Sequence, residues 1–360
     1  MSFPKNKRVL IILYAGDYYD AFYRMKNGLG EAYNHHNYAL KSISNFAQQD
    51  GIEEIAVLGC VTQKPYNYFI ELGFRVMGAG IDPYQNPEAV NKIIANYRPT
   101  HIVLRAPVSS ILKWAITNKV RTITLLADSF STKGLKGKVK AFKLARLFNN
   151  KTIEWVGNHH INSCCSLKSI GVSADKIVPW DWPWEKVTPA DFEAKSLSSD
   201  KKKFEFIYVG TISEDKGVGD VINAISILEK RGIQASLKIF GRSKNIEQFQ
   251  RQIVSLNLEK SVNFQGLVPN EKVVYLMQEA DIVFVPSRHA YREGMPSTIY
   301  EALCSRTPIV ASDHPMFVNN IKNEYSALIF PEKQPQKIAQ CVERLLRDPD
   351  LYLRLSQNSN

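Results

Sequence analysis

The stretch FEFIYVGTISEDKG, Phe204 to Gly217, decides how this chain folds. Phe204–Val209 is a short apolar run of aromatic and β-branched residues, the composition of a buried strand. Gly210 ends it, a polar loop follows, and a helical pattern starts after Gly217. Outward from this unit the alternation continues. Downstream strands are expected at Ser236–Phe240, Val262–Phe264, Ile282–Val285, Pro308–Ala311 and Ala327–Phe330. Upstream they are expected at Arg8–Tyr14, Ile55–Gly59, Arg75–Met77, His101–Leu104, Thr122–Leu126 and Ile153–Val156. Helical stretches such as Asn37–Gln48, Pro87–Tyr97 and Ser110–Asn118 lie between. Strict alternation predicts βαβ units, parallel sheets and two doubly wound domains. The pattern breaks once, at a proline- and lysine-rich stretch over 179–203, which puts the boundary between about 180 and 203.

Composition excludes several classes. Apolar residues are 44% and charged residues 22% of 360, the balance of a soluble globular protein and not of a disordered or fibrous one. The run VLIILYA, Val9 to Ala15, is too short to span a bilayer and reads as a buried first strand. The cysteines are sparse: Cys60, Cys304 and Cys341 stand alone, and Cys164-Cys165 is a vicinal pair without any CxxC. That pattern points to a reducing compartment and away from a zinc site. The paired histidines His35-His36 and His159-His160 lack metal-ligand spacing. The formal charge of +11 is unevenly spread: residues 1–180 hold 23 Lys+Arg against 12 Asp+Glu, and residues 181–360 hold 23 of each. The basic half is the one expected to meet an anion.

Ligands of such sheets bind at the carboxyl ends of the strands. The loop after the first strand, YAGDYYD, has Gly16 alone and no GxGxxG, and no Walker loop occurs anywhere. Dehydrogenase and P-loop chemistry are thereby set aside. In GTISEDKG, Gly210 lets backbone approach a phosphate and Lys216 offers a point charge, although an ordinary strand–helix turn has the same look. In EGMPSTIYEALCSRTPIVAS, Glu293 to Ser312, Pro296 suits a first helical turn and leaves the amides of Ser297 to Ile299 as free donors. Glu301 sits a turn later, either as a ligand of something bound there or as the partner of Thr298 in a capping box.

These elements together resemble the donor domain of GT-B glycosyltransferases, specifically family 4. The resemblance rests on GTISEDKG, LKIFGRS, VNFQGLVPNEKVVYLMQEADIVFVPS and the two glutamates eight positions apart in EGMPSTIYEALCSRTPIVAS. It covers nearly all of the second half. In the first half it covers the layout and VGNHHINSCCSLKSIGVSADKIVPW, similar to that family's last N-domain helix and strand. It implies an α/β GT-B architecture, two Rossmann-like domains facing a central cleft. An acceptor-side domain would span 1–185, a linker 186–203 and a nucleotide-sugar donor domain 204–360. It also implies a retaining, metal-independent transferase with no cofactor, whose donor is a nucleotide-sugar.

Carried over by position, Glu293 would be catalytic at the transferred sugar, with Gly294, Met295 and Pro296 around that sugar. Gly16, Gly210, Thr211, Lys216, Arg242, Ser297 and Thr298 would line the diphosphate, Glu301 the ribose, and Gly266, Leu267 and Val268 the base. Three departures stand out. Thr211 replaces the family's usual arginine, leaving Arg242 or Arg292 to supply that cation. Asp128 replaces a frequent histidine and would orient an acceptor hydroxyl. The chain closes at LSQNSN, so the family's helix returning to the first domain is expected to be cut off or absent.

On the acceptor side, residues 133–151 hold seven basic residues and no acid. On a helix Lys133, Lys136, Lys140 and Lys143 share one face, while Leu135, Val139 and Phe142 share another. Contact with an anionic membrane is the functional reading, and a solvated face over a packed stripe is the other. Trp180, Trp182 and Trp184 at the boundary offer a sugar platform or hinge packing. The expected function is therefore sugar transfer to an anionic, glycan or lipid-linked acceptor, in the cytoplasm or at the inner face of its membrane, with no nucleic-acid partner. A nucleotide-sugar epimerase and a non-catalytic sugar-binding homologue are the alternatives.

Overall fold

The computed structural model describes residues 6–31, 35–130, 134–182, 187–198, 200–243, 245–292, 294–318 and 320–358. Contacts divide the chain into unit 1, Met1–Pro183, and unit 2, Trp184–Asn360.

Unit 1 runs β1 (Lys7–Ala15), α1 (Tyr18–Lys26), α2 (His36–Ala47), β2 (Ile52–Val61), β3 (Tyr66–Ile70), β4 (Phe74–Gly78), α3 (Pro87–Tyr97), β5 (His101–Leu104), α4 (Ser109–Thr117), β6 (Arg121–Leu126), α5 (Gly134–Phe148), β7 (Ile153–His159), α6 (His160–Ser169) and β8 (Ile177–Trp180). Its sheet has the order β3-β4-β2-β1-β5-β6-β7-β8. Every ladder is parallel except β3 with β4, which are antiparallel. Strict alternation therefore fails at this edge. The run YNYFI stands where a crossover helix was expected, and the turn through Gly73, at φ +83°, folds it back on β4. An antiparallel edge strand on a parallel sheet needs only a hairpin, with no crossover. Leu10, Ile12 and Leu58 pack toward α3 and α4 on one face, while Val9, Ile55 and Val57 pack toward α1 and α2 on the other.

Unit 2 runs β9 (Lys203–Val209), α7 (Val218–Lys230), β10 (Gln234–Phe240), α8 (Ile246–Ser255), β11 (Val262–Gly266), α9 (Val273–Glu279), β12 (Ile282–Val285), α10 (Ser297–Cys304), β13 (Ile309–Ser312), β14 (Leu328–Phe330), α11 (Pro335–Arg347) and α12 (Pro349–Gln357). The order β11-β10-β9-β12-β13-β14 is parallel throughout. Phe206 and Tyr208 of β9 point into one core layer and Ile207 into the other, as a two-residue period requires. All four residues of β12 are buried, as in a strand covered on both faces. Each such side chain contributes about 1.5–3 kcal/mol on leaving water.

The segment before β9 is fastened to unit 2. Lys195 donates from Nζ to the carbonyls of Gln278 (2.6 Å) and Ala280 and to Thr307 Oγ1 (3.3 Å), and Arg306 Nε donates to the Pro189 carbonyl at 2.6 Å. Burial pushes the Lys195 ammonium down from its ordinary 10.5 to about 8.

Candidate functional site

In unit 2 the carboxyl ends of three adjacent strands are joined through backbone. The Gly210 amide donates to the Phe240 carbonyl (3.0 Å), the Ile212 amide to the Arg242 carbonyl (2.8 Å), and the Gly241 amide to the Gly266 carbonyl (2.8 Å). Gly241 has φ +149°, and a Cβ there would lie 1.8 Å from the Gly210 carbonyl oxygen. Only glycine admits that approach. Gly217 obeys the same rule: at φ +71° it precedes α7, and a Cβ would lie 2.2 Å from the Pro286 carbonyl oxygen. The structure thus brings Gly210, Thr211, Arg242, Gly266, Leu267 and Val268 to one edge, with Thr211, Arg242 and Leu267 exposed.

Helix α10 starts at the same edge. Pro296 occupies its cap position in extended conformation with no side-chain cap, so the helix begins at Ser297. The expected capping box does not form. Thr298 is already helical and donates its hydroxyl to the Val209 carbonyl at 3.2 Å, tying α10 to the end of β9. Glu301 is 3% exposed and accepts from Asn270 Nδ2 at 2.9 Å. The Ile299 amide bonds back to the Pro296 carbonyl (3.0 Å), so of the three amides expected as donors only those of Ser297 and Thr298 have no backbone partner among the described residues. Gly294 and Met295 before the helix are buried. Glu293 and Lys133, and the Lys136 side chain, lie outside the described residues.

Lys216 Nζ lies 4.4 Å from the centre of the Tyr291 ring. Sequence reading missed what holds this loop. Arg288 forms a two-pronged pair with Asp220 (2.8 and 2.9 Å) and a third contact with Glu214 (2.7 Å), and its amide donates to the Asp215 carbonyl at 2.8 Å. These contacts raise the guanidinium's pKa further, with the Asp220 hydrogen bond the largest cause. One arginine after β12 thereby pairs with two acids of the SEDKGVGD loop and fixes the loop that carries Lys216. His289 Nε2 meets Asp313 Oδ1 at 2.8 Å and the His314 ring meets the Tyr291 carbonyl at 3.0 Å, bracing the stretch that leads to α10. Arg288 sits only a few residues from Glu293, yet no pattern marks it until Asp220 is seen opposite.

In unit 1, Gly16 follows β1 at φ +121° and Asp128 follows β6. The Asp128 backbone is clamped by the buried Asn158 side chain, which accepts from its amide (3.2 Å) and donates to its carbonyl (2.9 Å). Sequence reading missed Arg105, the residue after β5. Its guanidinium carbon lies 5.2 Å from the Trp180 ring centre and 5.1 Å from that of Trp182. The Trp180 indole donates to the Leu126 carbonyl at 2.9 Å, and His35 stacks on Trp182 at 4.9 Å. His159 pairs with Asp181 at 2.8 Å. No three His, Cys, Asp or Glu side chains group as a metal site among the described residues. All five cysteines are free, and burial pushes the Cys60 thiol up to about 12.

On α5 the core face is Ala141, Leu144, Ala145 and Phe148. Leu135 (82% exposed), Val139 and Phe142 (68%) face outward beside the exposed Lys138, Lys140, Lys143 and Arg146. The packed stripe offered as the second reading is thus a different set of residues. A groove of about 780 Å³ runs between α4 and α5, lined by Leu135, Val139, Leu147, Lys113, Lys140 and Lys143 among others. No described helix is long and apolar enough to cross a membrane.

With this geometry in place, comparison with known proteins is informative. Residues 190–360 match the family described as "Glycosyl transferases group 1". Unit 2 resembles the group 1 glycosyltransferases. The amylovoran biosynthesis glycosyltransferase AmsK of Erwinia amylovora is 28% identical over 180 residues, 47% of this chain and 44% of that one. An N,N'-diacetylbacillosaminyl-diphospho-undecaprenol alpha-1,3-N-acetylgalactosaminyltransferase of Campylobacter jejuni is 28% identical over 224 residues, 61% of this chain and 56% of that one. The chain thus spans about half the length of these curated relatives. Among solved structures, Anabaena HepE in complex with UDP-glucose superposes with TM-score 0.68 at 13% identity, covering 98% of this chain and 93% of that one. At that identity the likeness is one of fold, and the fold is GT-B: two doubly wound, Rossmann-like units, as the sequence resemblance implied.

Proposed function

We propose that this chain is a glycosyltransferase that holds a nucleoside-diphosphate sugar on unit 2 and takes an acceptor bearing phosphate on unit 1. The observation that carries this reading is the carboxyl edge of unit 2. There a backbone edge that excludes Cβ atoms, the Ser297 and Thr298 amides, Lys216 and a buried carboxylate, Glu301, occur together. Glycosyl transfer builds negative charge on the departing diphosphate and positive charge on the sugar ring. Amides and a lysine placed beforehand stabilise the first without reorganisation. Glu301 accepts from ribose hydroxyls, Gly266 to Val268 meet the base, and Arg242 supplies the cation that Thr211 does not. Glu293, with Gly294 to Pro296, orients the sugar, and Asp128 orients the acceptor hydroxyl. Transfer retains configuration and uses no metal. The relatives named above are transferases, and one acts on a diphospho-undecaprenol-linked acceptor. This favours transfer over epimerisation or binding alone.

A thermal-shift series with UDP, GDP and ADP tests the donor assignment. One of them stabilises the chain by about 2.7 kcal/mol at a hundredfold excess over its dissociation constant. Turnover persists in EDTA, and recovery only on adding Mg²⁺ would refute metal independence. The basic, apolar face of α5 rests the enzyme on anionic membrane, each lysine adding about 1 kcal/mol. Liposome binding then falls with salt and is lost when Lys136, Lys140 and Lys143 become glutamine. Equal binding to neutral vesicles would refute it.

A further inference from the structure

Several half-buried cations among the described residues find oxygen partners. Lys195 reaches two carbonyls and a hydroxyl. Arg288 reaches Asp220 and Glu214. Arg8 reaches the Tyr97 carbonyl and Glu53, and Arg75 reaches Glu54. Arg105 makes no side-chain hydrogen bond and no ion pair among the described residues. A guanidinium carries five N–H donors, and withdrawing it from water without acceptors is costly. Two indoles, their centres 5.4 Å apart and their planes at 84°, offset part of that cost through their π faces but accept no in-plane hydrogen bond.

Its position is equally specific. Arg105 follows β5, Asp128 follows β6, His159 ends β7 and Trp180 ends β8, so four neighbouring strands each deliver one of these residues to the carboxyl edge of the sheet. The Trp180 indole spans this row, touching Arg105 and donating to the Leu126 carbonyl. Arg105 is also held at its backbone, donating from its amide to the Ile12 carbonyl of β1 at 2.8 Å. A cation so oriented, next to the loop that carries Asp128, is arranged to receive an oxyanion at the ligand edge of the fold.

We propose that Arg105, positioned by Trp180 and Trp182, is an oxyanion site that binds the phosphate of the acceptor. The inference rests on the transferase reading for the word acceptor but not for the anion. The planar guanidinium takes two phosphate oxygens, a geometry that lysine cannot reproduce. The two indoles report occupancy, because a bound anion changes the field at both rings.

The test is tryptophan emission of the full chain titrated with glycerol phosphate and, separately, with UDP, GDP and ADP. Glycerol phosphate should give a saturable change that shrinks in Trp180→Phe, where Trp182 alone reports. R105M should weaken glycerol-phosphate binding at least tenfold, and R105K should weaken it severalfold while remaining folded. The nucleotide-induced thermal shift should be unchanged in R105K. Glycerol phosphate that leaves wild-type emission unaltered, or binds R105K and wild type equally, would overturn the proposal and make Arg105 a buttress for the two indoles. Loss of the nucleotide shift in R105K with glycerol-phosphate binding intact would overturn it by assigning the oxyanion to the donor. A nucleotide shift absent even from wild type would refute the donor reading while leaving the emission result to decide this one.

Discussion

The two sheets carry equivalent carboxyl edges, and the two edges are made of different material. In unit 2 the edge is backbone: Gly241 admits the Gly210 carbonyl, Gly217 admits the Pro286 carbonyl, and the start of α10 is hydroxyl-bonded to Val209. In unit 1 it is side chain: Arg105 against Trp180 and Trp182, and Asp128 clamped by Asn158. A diphosphate can be met by main-chain amides, which every sequence possesses, provided side chains are kept out. Recognition of a particular acceptor requires particular side chains.

The comparison breaks most visibly at Gly241. Gly241→Ala places Cβ within covalent reach of the Gly210 oxygen and adds backbone strain, so unit 2 should lose about 2–6 kcal/mol, read from urea unfolding. A loss under about 1 kcal/mol would mean that the edge tolerates side chains after all. Next in size is Glu301→Gln. Glutamine can still accept from Asn270, so the fold should persist, while nucleotide affinity drops about 10–100-fold with the charged acceptor gone. Unchanged affinity would return Glu301 to a structural role. Lys216→Met should cost about tenfold for the diphosphate and little for the nucleoside, in parallel titrations. Equal losses would detach Lys216 from the phosphates.

The smallest effect concerns the segment before β9. Lys195 titrates near 8 in the fold and near 10.5 when unfolded. Between those values the unfolded chain binds more protons, so this group makes stability rise with pH across that window. Lys195→Met should remove that rise, so that wild type gains stability relative to the variant between pH 7 and pH 10. Identical pH profiles would place the Lys195 ammonium in water, and with it loosen the segment from unit 2.

Legibility in the sequence follows the same division. Strands His101–Leu104 and Ile282–Val285 were readable to the residue, because a parallel strand inside a sheet is a short, mostly apolar run, and the second is buried on both faces. The hairpin strand Tyr66–Ile70 was not, because its exposed Tyr68 and Phe69 carry no burial pattern. The capping box was read from spacing that the helix start at Ser297 does not use. On α5 the sequence showed two stripes, yet a third set, Ala141, Leu144, Ala145 and Phe148, is the one that packs.

By itself, then, the amino-acid sequence determined the alternating architecture, the location of the donor-type loops and the group they resemble. Those features are local: period, glycine placement and a few residues within one strand–loop–helix unit. Tertiary structure alone decided that Glu301 is buried against Asn270, that Arg288 pairs with Asp220 and Glu214, and that Arg105 lies against Trp180 and Trp182 without a carboxylate among the described residues. Each joins residues far apart in the chain, and no window of sequence holds the energy of a contact that exists only after the strands have taken their order.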